Sequence, residues 1–199
     1  MRKISRSCSF VCLILLFSAC SSSPVHVPGE TRVILKNLAT EYYNVAEGYM
    51  ELKKYDKAAE YYALAMRDKD LYMSACYKLA RSYALARDWD KAWESYEALL
   101  EHDKENSVLR ASLAYITAMR GDTDGAIVRY RALLDESPYD ESLLESYVAL
   151  LINAGRGEDA REYFFVLKEK FPGSGRITTF SQKLSEILDD FDPERNPDE

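Results

Sequence analysis

Apolar and polar residues alternate with the spacing of an amphipathic helix along most of this chain. From Glu30 to about Leu52 no helix-breaking residue interrupts the pattern, and Val33, Ile34 and Leu38 fall on one predicted face. Similar amphipathic segments follow as far as residue 190, separated by short stretches that contain most of the few glycines and prolines. The pattern therefore predicts an all-α protein made of consecutive helices.

A second periodicity, much longer than a helical turn, lies over the first. An alanine followed four residues later by an aromatic residue returns every 34 residues. A small residue recurs with the same period twelve residues before each of these alanines. A fixed period of this length is typical of stacked helical repeats, in which small residues allow two helix backbones to approach. The recurring pairs are Ala58 and Tyr62, Ala92 and Tyr96, Ala126 and Tyr130, and Ala160 and Phe164.

In its spacing and residue types this pattern resembles the tetratricopeptide repeat family. The units phase as residues 39–72, 73–106, 107–140 and 141–174, inside a domain that spans residues 30–190. The resemblance implies a right-handed α-solenoid of four helix-turn-helix repeats. An amphipathic segment at residues 176–190 is expected to form a capping helix, because a repeat array needs a terminal element with a polar outer face. Residues 191–199 form an acidic tail that we expect to be disordered.

Acidic residues recur in phase with the repeats, at the predicted start of each second helix. A carboxylate there can accept hydrogen bonds from the free N–H groups of the helix and faces the positive end of its dipole. A calcium loop beginning at Asp122 is the alternative, but the further oxygen ligands of such a loop are missing. We therefore interpret the acids as helix caps and predict no metal site. They are Asp56, Asp90, Asp124 and Glu158.

The N-terminus has the composition of a secretory signal. Basic residues precede a short apolar run and then small residues, and the run is too short to span a bilayer. The segment that ends at Cys20 resembles a bacterial lipobox, although Phe17 stands where Leu is usual. The resemblance implies that residues 1–19 are removed, that Cys20 is acylated and that residues 20–29 form a flexible tether. The alternative is a plain cleaved signal with an incidental cysteine.

The same segment indicates where the protein is located, and the net charge bears on the kind of partner that it binds. Ser21 after the modified cysteine, without the aspartate that retains some lipoproteins at the inner membrane, favours the outer membrane facing the periplasm. The formal net charge is −7 and no basic stripe is present, which argues against a nucleic-acid partner. Cys76 is the one cysteine that remains beyond Cys20, so no disulfide framework is expected, and we interpret Cys76 as a small buried hydrophobe.

Catalytic chemistry finds little support in the sequence. The chain has two histidines, of which His26 lies in the tether and His102 near a predicted helix end. No phosphate-binding loop, metal-ligand spacing or paired nucleophile and base occurs. The sequence therefore predicts a protein that is not an enzyme and that has no cofactor.

The family resemblance implies a concave groove lined by the first helix of each repeat. Positions that the packing pattern leaves free would give this groove an aromatic and apolar floor, of a kind common at protein interfaces. The alternative is that these side chains pack against one another. Residues suited to a carboxylate clamp are absent, which favours a helix or an extended apolar peptide as the ligand. The candidate groove residues are Tyr43, Glu47, Met50, Tyr77, Arg81, Leu85, Tyr115, Met119 and Ile152.

These observations favour a membrane-anchored adaptor that binds a protein or peptide partner at the bacterial cell envelope. A second hypothesis is an accessory lipoprotein of a solute-uptake system, which would cradle a small apolar ligand or a solute-binding protein. Self-association through the repeat edges is a third. The sequence identifies neither the partner nor the oligomeric state.

Overall fold

The computed structural model describes residues 29–193, which form nine α-helices and no strand. The predicted signal segment, Cys20 and almost all of the tether lie outside the described residues, as does the end of the acidic tail. The all-α prediction is confirmed. The helices are α1 (Glu30–Glu51), α2 (Tyr55–Ala65), α3 (Tyr72–Ala86), α4 (Trp89–His102), α5 (Ser107–Met119), α6 (Thr123–Glu136), α7 (Glu141–Asn153), α8 (Gly157–Lys170) and α9 (Ile177–Ile187).

The chain divides into two compact units, with the boundary inside α1. The first unit is Met1–Asn37, of which residues 29–37 are described and form the beginning of α1. The second unit is Leu38–Glu199, and from α2 onward each of its helices packs against the next one in sequence. Packing between sequential neighbours is the arrangement of an α-solenoid, so the predicted fold class is confirmed for this unit.

The 34-residue period of the sequence is reproduced by the helices themselves. The helices α4, α6 and α8 begin at Trp89, Thr123 and Gly157, which are 34 residues apart, and α5 and α7 begin at Ser107 and Glu141, with the same separation. The recurring alanines have no exposed surface, and the aromatic residue that follows each of them is also buried. The repeated pair therefore marks the packed side of each second helix.

Aspartates cap two of the second helices, but they are not the ones that the sequence pattern indicated. The side chain of Asp88 accepts a hydrogen bond from the backbone N–H of Lys91 at 3.4 Å, and Asp122 accepts one from Gly125 at 2.9 Å. Both aspartates precede the first helical residue, so each satisfies a donor that has no partner within the helix.

The prediction that the recurring acids are side-chain caps is wrong, because each lies inside the first helical turn instead of just before it. Asp90 and Asp124 instead form ion pairs with arginines of the next helix pair, Arg120 at 3.1 Å and Arg156 at 2.5 Å. These acids still face the positive end of the helix dipole. The four residues are Asp56, Asp90, Asp124 and Glu158.

At the C-terminal end, α9 packs against α8 and α7. Phe180 and Leu184 of α9 are buried, on the apolar side of an amphipathic helix. Gly157 begins α8, and a Cβ atom at this position would lie 2.8 Å from a methyl carbon of Leu188. A side chain at residue 157 would therefore displace Leu188 from this close approach.

Candidate binding groove

The nine candidate groove residues all lie on first helices of the helix pairs, namely α1, α3, α5 and α7. Their surroundings divide them into residues held by neighbouring side chains, residues open to solvent, and one residue that is buried.

On α1, Tyr43 is half-buried between the first and second helix pairs. Its ring meets the ring of Tyr62 edge to face, with centroids 5.3 Å apart, and its hydroxyl shares a hydrogen bond of 2.9 Å with Ser74 on α3. Tyr43 therefore joins consecutive pairs, and only part of its ring is available to a ligand.

The carboxylate of Glu47 lies at the centre of a polar network on the same helix. It accepts a hydrogen bond from the Tyr62 hydroxyl and another, of 3.0 Å, from Nζ of Lys78. Partial burial disfavours the charged form, but these two hydrogen bonds and the positive charge of Lys78 outweigh it and lower the pKa of Glu47. Burial and the bond to Glu47 raise the pKa of Tyr62. Glu47 is thus an ionised structural group, and each of its carboxylate oxygens is bonded to a neighbouring side chain.

Met50 and Tyr77 are also engaged by neighbours. The Met50 sulfur accepts a hydrogen bond of 3.3 Å from the buried Ser82 hydroxyl. Tyr77 is half-buried, with its ring edge to face against Tyr96 at a centroid distance of 6.1 Å. The alternative that these side chains pack against one another is therefore supported for the half-buried residues of α1 and α3.

Four candidates remain exposed, on α3 and α5. Leu85, Tyr115 and Met119 expose 41%, 46% and 43% of their surface, and Arg81 is exposed as well. The Tyr115 ring is held edge to face against Trp89, with centroids 6.1 Å apart. Large apolar side chains at this exposure are free to contact a partner.

Tyr115 lines a cavity of about 330 Å³ between α3, α5 and α7. Hydroxyl groups lie along its walls in two interacting pairs, Tyr96 with Ser112 and Tyr130 with Ser146. Burial raises the pKa of both tyrosines to about 12, so both are neutral phenols at ordinary pH. The cavity combines an apolar floor with fixed polar groups, which is the usual composition of a binding site.

Two residues outside the set of nine candidates also line the cavity. Val108 and Ala111 line it, and Val108 is one of the more exposed apolar side chains of the described chain. Both occupy places of the third repeat that the family resemblance assigns to the groove, so the repeat register itself contained the signal.

Ile152 on α7 differs from the expectation. Only 8% of its surface is exposed, and its side chain belongs to the hydrophobic cluster shared by α6, α7, α8 and α9. Its assignment as an open groove position is corrected, because an aliphatic side chain at this place gains more from the core than from water.

Residues 29–193 contain neither a metal-binding cluster nor a membrane-spanning helix. No group of three or more His, Cys, Asp or Glu side chains in this range is arranged to hold a metal ion. No helix in the same range has the length and apolar character needed to cross a bilayer.

Comparison with known proteins agrees with the geometry. Residues 74–105, which contain most of α3 and all of α4, match the family model of the tetratricopeptide repeat. None of the curated proteins matches the chain.

Several solved structures share the fold. A tetratricopeptide repeat protein from Parabacteroides merdae is similar with a TM-score of 0.62 and 20% identity over 76% of this chain, which spans 60% of that protein. YrrB, described as a TPR protein with an unusual peptide-binding site, is similar with a TM-score of 0.52 and 18% identity over 76% of this chain and 87% of its own. The MamA protein of Desulfovibrio magneticus gives a TM-score of 0.59 and 11% identity over 78% of this chain and 96% of its own. Residues 74–105 thus contain a tetratricopeptide repeat, and the chain has the fold of the tetratricopeptide repeat proteins.

Proposed function

We propose that this protein is a membrane-anchored adaptor whose four tetratricopeptide repeats bind a protein or peptide partner at the bacterial cell envelope. The observation that carries the proposal is the exposed apolar surface of Leu85 on α3 and of Tyr115 and Met119 on α5, together with the cavity between α3, α5 and α7 that Tyr115 lines. Exposed large apolar side chains beside a cavity, as at Tyr115, are characteristic of an interaction site.

The groups around this surface favour an apolar peptide over a free carboxylate terminus. Glu47 places a negative charge at one position where a carboxylate clamp would need a cation, and Tyr77 and Tyr115 occupy two others. Among the nine candidate residues, Arg81 carries a positive charge, is exposed and can pair with an acidic side chain. A peptide with spaced apolar residues and one acidic residue therefore fits best. YrrB, whose fold is similar, is described as having a peptide-binding site.

Loss of the exposed side chains is expected to abolish capture of the partner. We would treat intact cells with a crosslinker and purify the full-length chain as wild type and as the double variant Leu85→Ala, Tyr115→Ala. We expect a specific protein to be recovered with wild type and at least about tenfold less with the variant, because central aromatic and apolar contacts supply most interface energy.

A matched double variant, Val128→Ala with Tyr139→Ala, removes similar exposed side chains on α6 and after it, and neither of them lines the cavity between α3, α5 and α7. It should recover the partner as wild type does. Equal recovery by both double variants would contradict groove binding.

Membrane attachment is proposed to depend on acylation of Cys20. Replacing Cys20 by alanine removes the sulfur that would hold the lipid, and each buried CH₂ of an acyl chain contributes about 0.8 kcal/mol to anchoring. We therefore expect Cys20→Ala to move the protein from the membrane fraction to the soluble fraction, as measured by immunoblotting after fractionation. Cys12→Ala is the control and should stay with the membrane. Retention of Cys20→Ala after a high-salt wash would contradict the anchor.

A further inference from the structure

A second cavity lies outside the groove, where the end of α2 meets α3 and α4. Its volume is about 270 Å³, and none of the nine candidate groove residues lines it. Leu79, Leu99 and Cys76 form its inner wall, while Tyr72 and Met73 are exposed at its mouth. A cavity of roughly 150 Å³ is enough to bind benzene in a protein core, so this one has room for a substituted ring.

The cavity exists because the second helix pair has small side chains at two places where the other pairs have large ones. At the fourth place of the 34-residue unit the side chains are Tyr42, Cys76, Arg110 and Leu144. At the twenty-third place they are Tyr61, Ser95, Arg129 and Tyr163. Cys76 and Ser95 are the smallest of each set, and both line the cavity.

The other helix pairs show what chemistry occupies this position. In the first pair the ring of Tyr61 stands at the twenty-third place. Its centroid lies 6.1 Å from that of Tyr42 and 5.4 Å from that of Tyr49, on which it stacks. In the last pair the Tyr163 ring meets Tyr147 edge to face at 4.8 Å.

In the third pair, charged groups occupy the same region. The guanidinium of Arg110 forms two hydrogen bonds with Glu136, of 2.6 and 2.7 Å, and a smaller cavity of about 190 Å³ remains beside them. In two of the three other pairs, a tyrosine ring therefore stands at the place that Ser95 holds in the second.

The walls of the open cavity are suited to a ring of the same kind. Three sulfur-containing residues line it, Met66, Met73 and Cys76, and sulfur packs favourably at the edge of aromatic rings. Glu94 and His102 line it as well and are exposed, so they can accept a hydrogen bond from a hydroxyl on the ring.

The geometry points to a binding site for a phenol-type aromatic ring in the cavity of the second helix pair. The ring would lie where Tyr61 and Tyr163 lie in their own helix pairs, against the sulfur atoms, with its hydroxyl towards Glu94 and His102. This site is independent of the groove and does not rest on the proposed adaptor function.

Titration calorimetry of the full-length chain tests this site with p-cresol, a phenol ring of the size of a tyrosine side chain. We expect saturable binding of one molecule to wild type, and at least about tenfold weaker binding to Ser95→Tyr, whose own ring fills the space. Val128→Tyr adds a tyrosine at an exposed position of α6 and should bind as wild type does. 4-Methylcyclohexanol, which has a similar size but no aromatic ring, should bind at least about tenfold more weakly than p-cresol.

The site is contradicted if p-cresol does not bind, if Ser95→Tyr binds it equally well, or if the non-aromatic alcohol binds equally well. Should Ser95→Tyr fail to fold, Cys76→Leu fills the cavity from the opposite wall, with the residue that the fourth pair uses at that place. N-acetyltyrosinamide distinguishes two sources of the ring. Binding equal to that of p-cresol indicates a tyrosine side chain of a peptide, and binding of p-cresol alone indicates a free aromatic molecule.

Discussion

Replacing Tyr96 by alanine is expected to lower the free energy of unfolding by about 3–5 kcal/mol, the usual cost of deleting a buried aromatic side chain. Tyr96 is 4% exposed, and its ring lies in the cluster that joins α3, α4 and α5. Against a typical total stability of about 5–15 kcal/mol this loss is large. Urea unfolding of the full-length chain, followed by far-UV circular dichroism, measures it.

Tyr77→Ala is the matched comparison, because Tyr77 touches Tyr96 from the groove side but is only half-buried. We expect it to cost about 1 kcal/mol, the size of an aromatic pair contact and partial burial. If the two variants lose equal stability, the assignment of Tyr96 to the core and of Tyr77 to the groove edge is wrong.

Alkaline pH is expected to destabilise the protein strongly, through tyrosines that are buried as neutral phenols. Burial raises the pKa of Tyr96 and of Tyr130 from 10.0 to about 12. The contribution of these two tyrosines to the free energy of unfolding is present in full below pH 10, where they are protonated in both the folded and the unfolded chain. It is lost as the pH rises towards 12, because the tyrosines ionise first in the unfolded chain. Each residue contributes on the order of 2 kcal/mol to this loss.

The double variant Tyr96→Phe, Tyr130→Phe isolates this effect, since phenylalanine keeps the ring and cannot ionise. Its free energy of unfolding should fall less steeply between pH 10 and 12 than that of wild type, measured by urea titrations at a series of pH values. Equal slopes for wild type and variant would show that other groups cause the alkaline loss.

The fold was largely predictable from the sequence, because its main signal is local and repeated. Ala92 and Tyr96 have the same spacing as Ala126 and Tyr130. Helix pairs that share this spacing and the same 34-residue length are expected to pack alike. The helix caps were less predictable. Asp88 and Asp90 are two residues apart, and only the position of the first helical residue distinguishes a cap from a residue of the first turn.

The candidate site was predictable only in part, because burial depends on residues from other repeats. The position of Glu47 in the repeat assigns it to the groove. In the structure, however, Lys78 of the next helix pair and Tyr62 of its own pair donate hydrogen bonds to its carboxylate. The second cavity arises from two small residues, Cys76 and Ser95, on different helices. Neither is unusual by itself, so the space between them appears only when the helices are packed.

Site-specific photocrosslinking in living cells tests most directly the claim that the groove binds a partner. A photoreactive phenylalanine would replace Tyr115 in the groove and, in a separate strain, Val128 on the exposed face of α6. We expect a single protein adduct from position 115 that is lost when Leu85→Ala is added, and no adduct from position 128. Absence of an adduct at position 115, or the same adduct from both positions, would contradict groove binding.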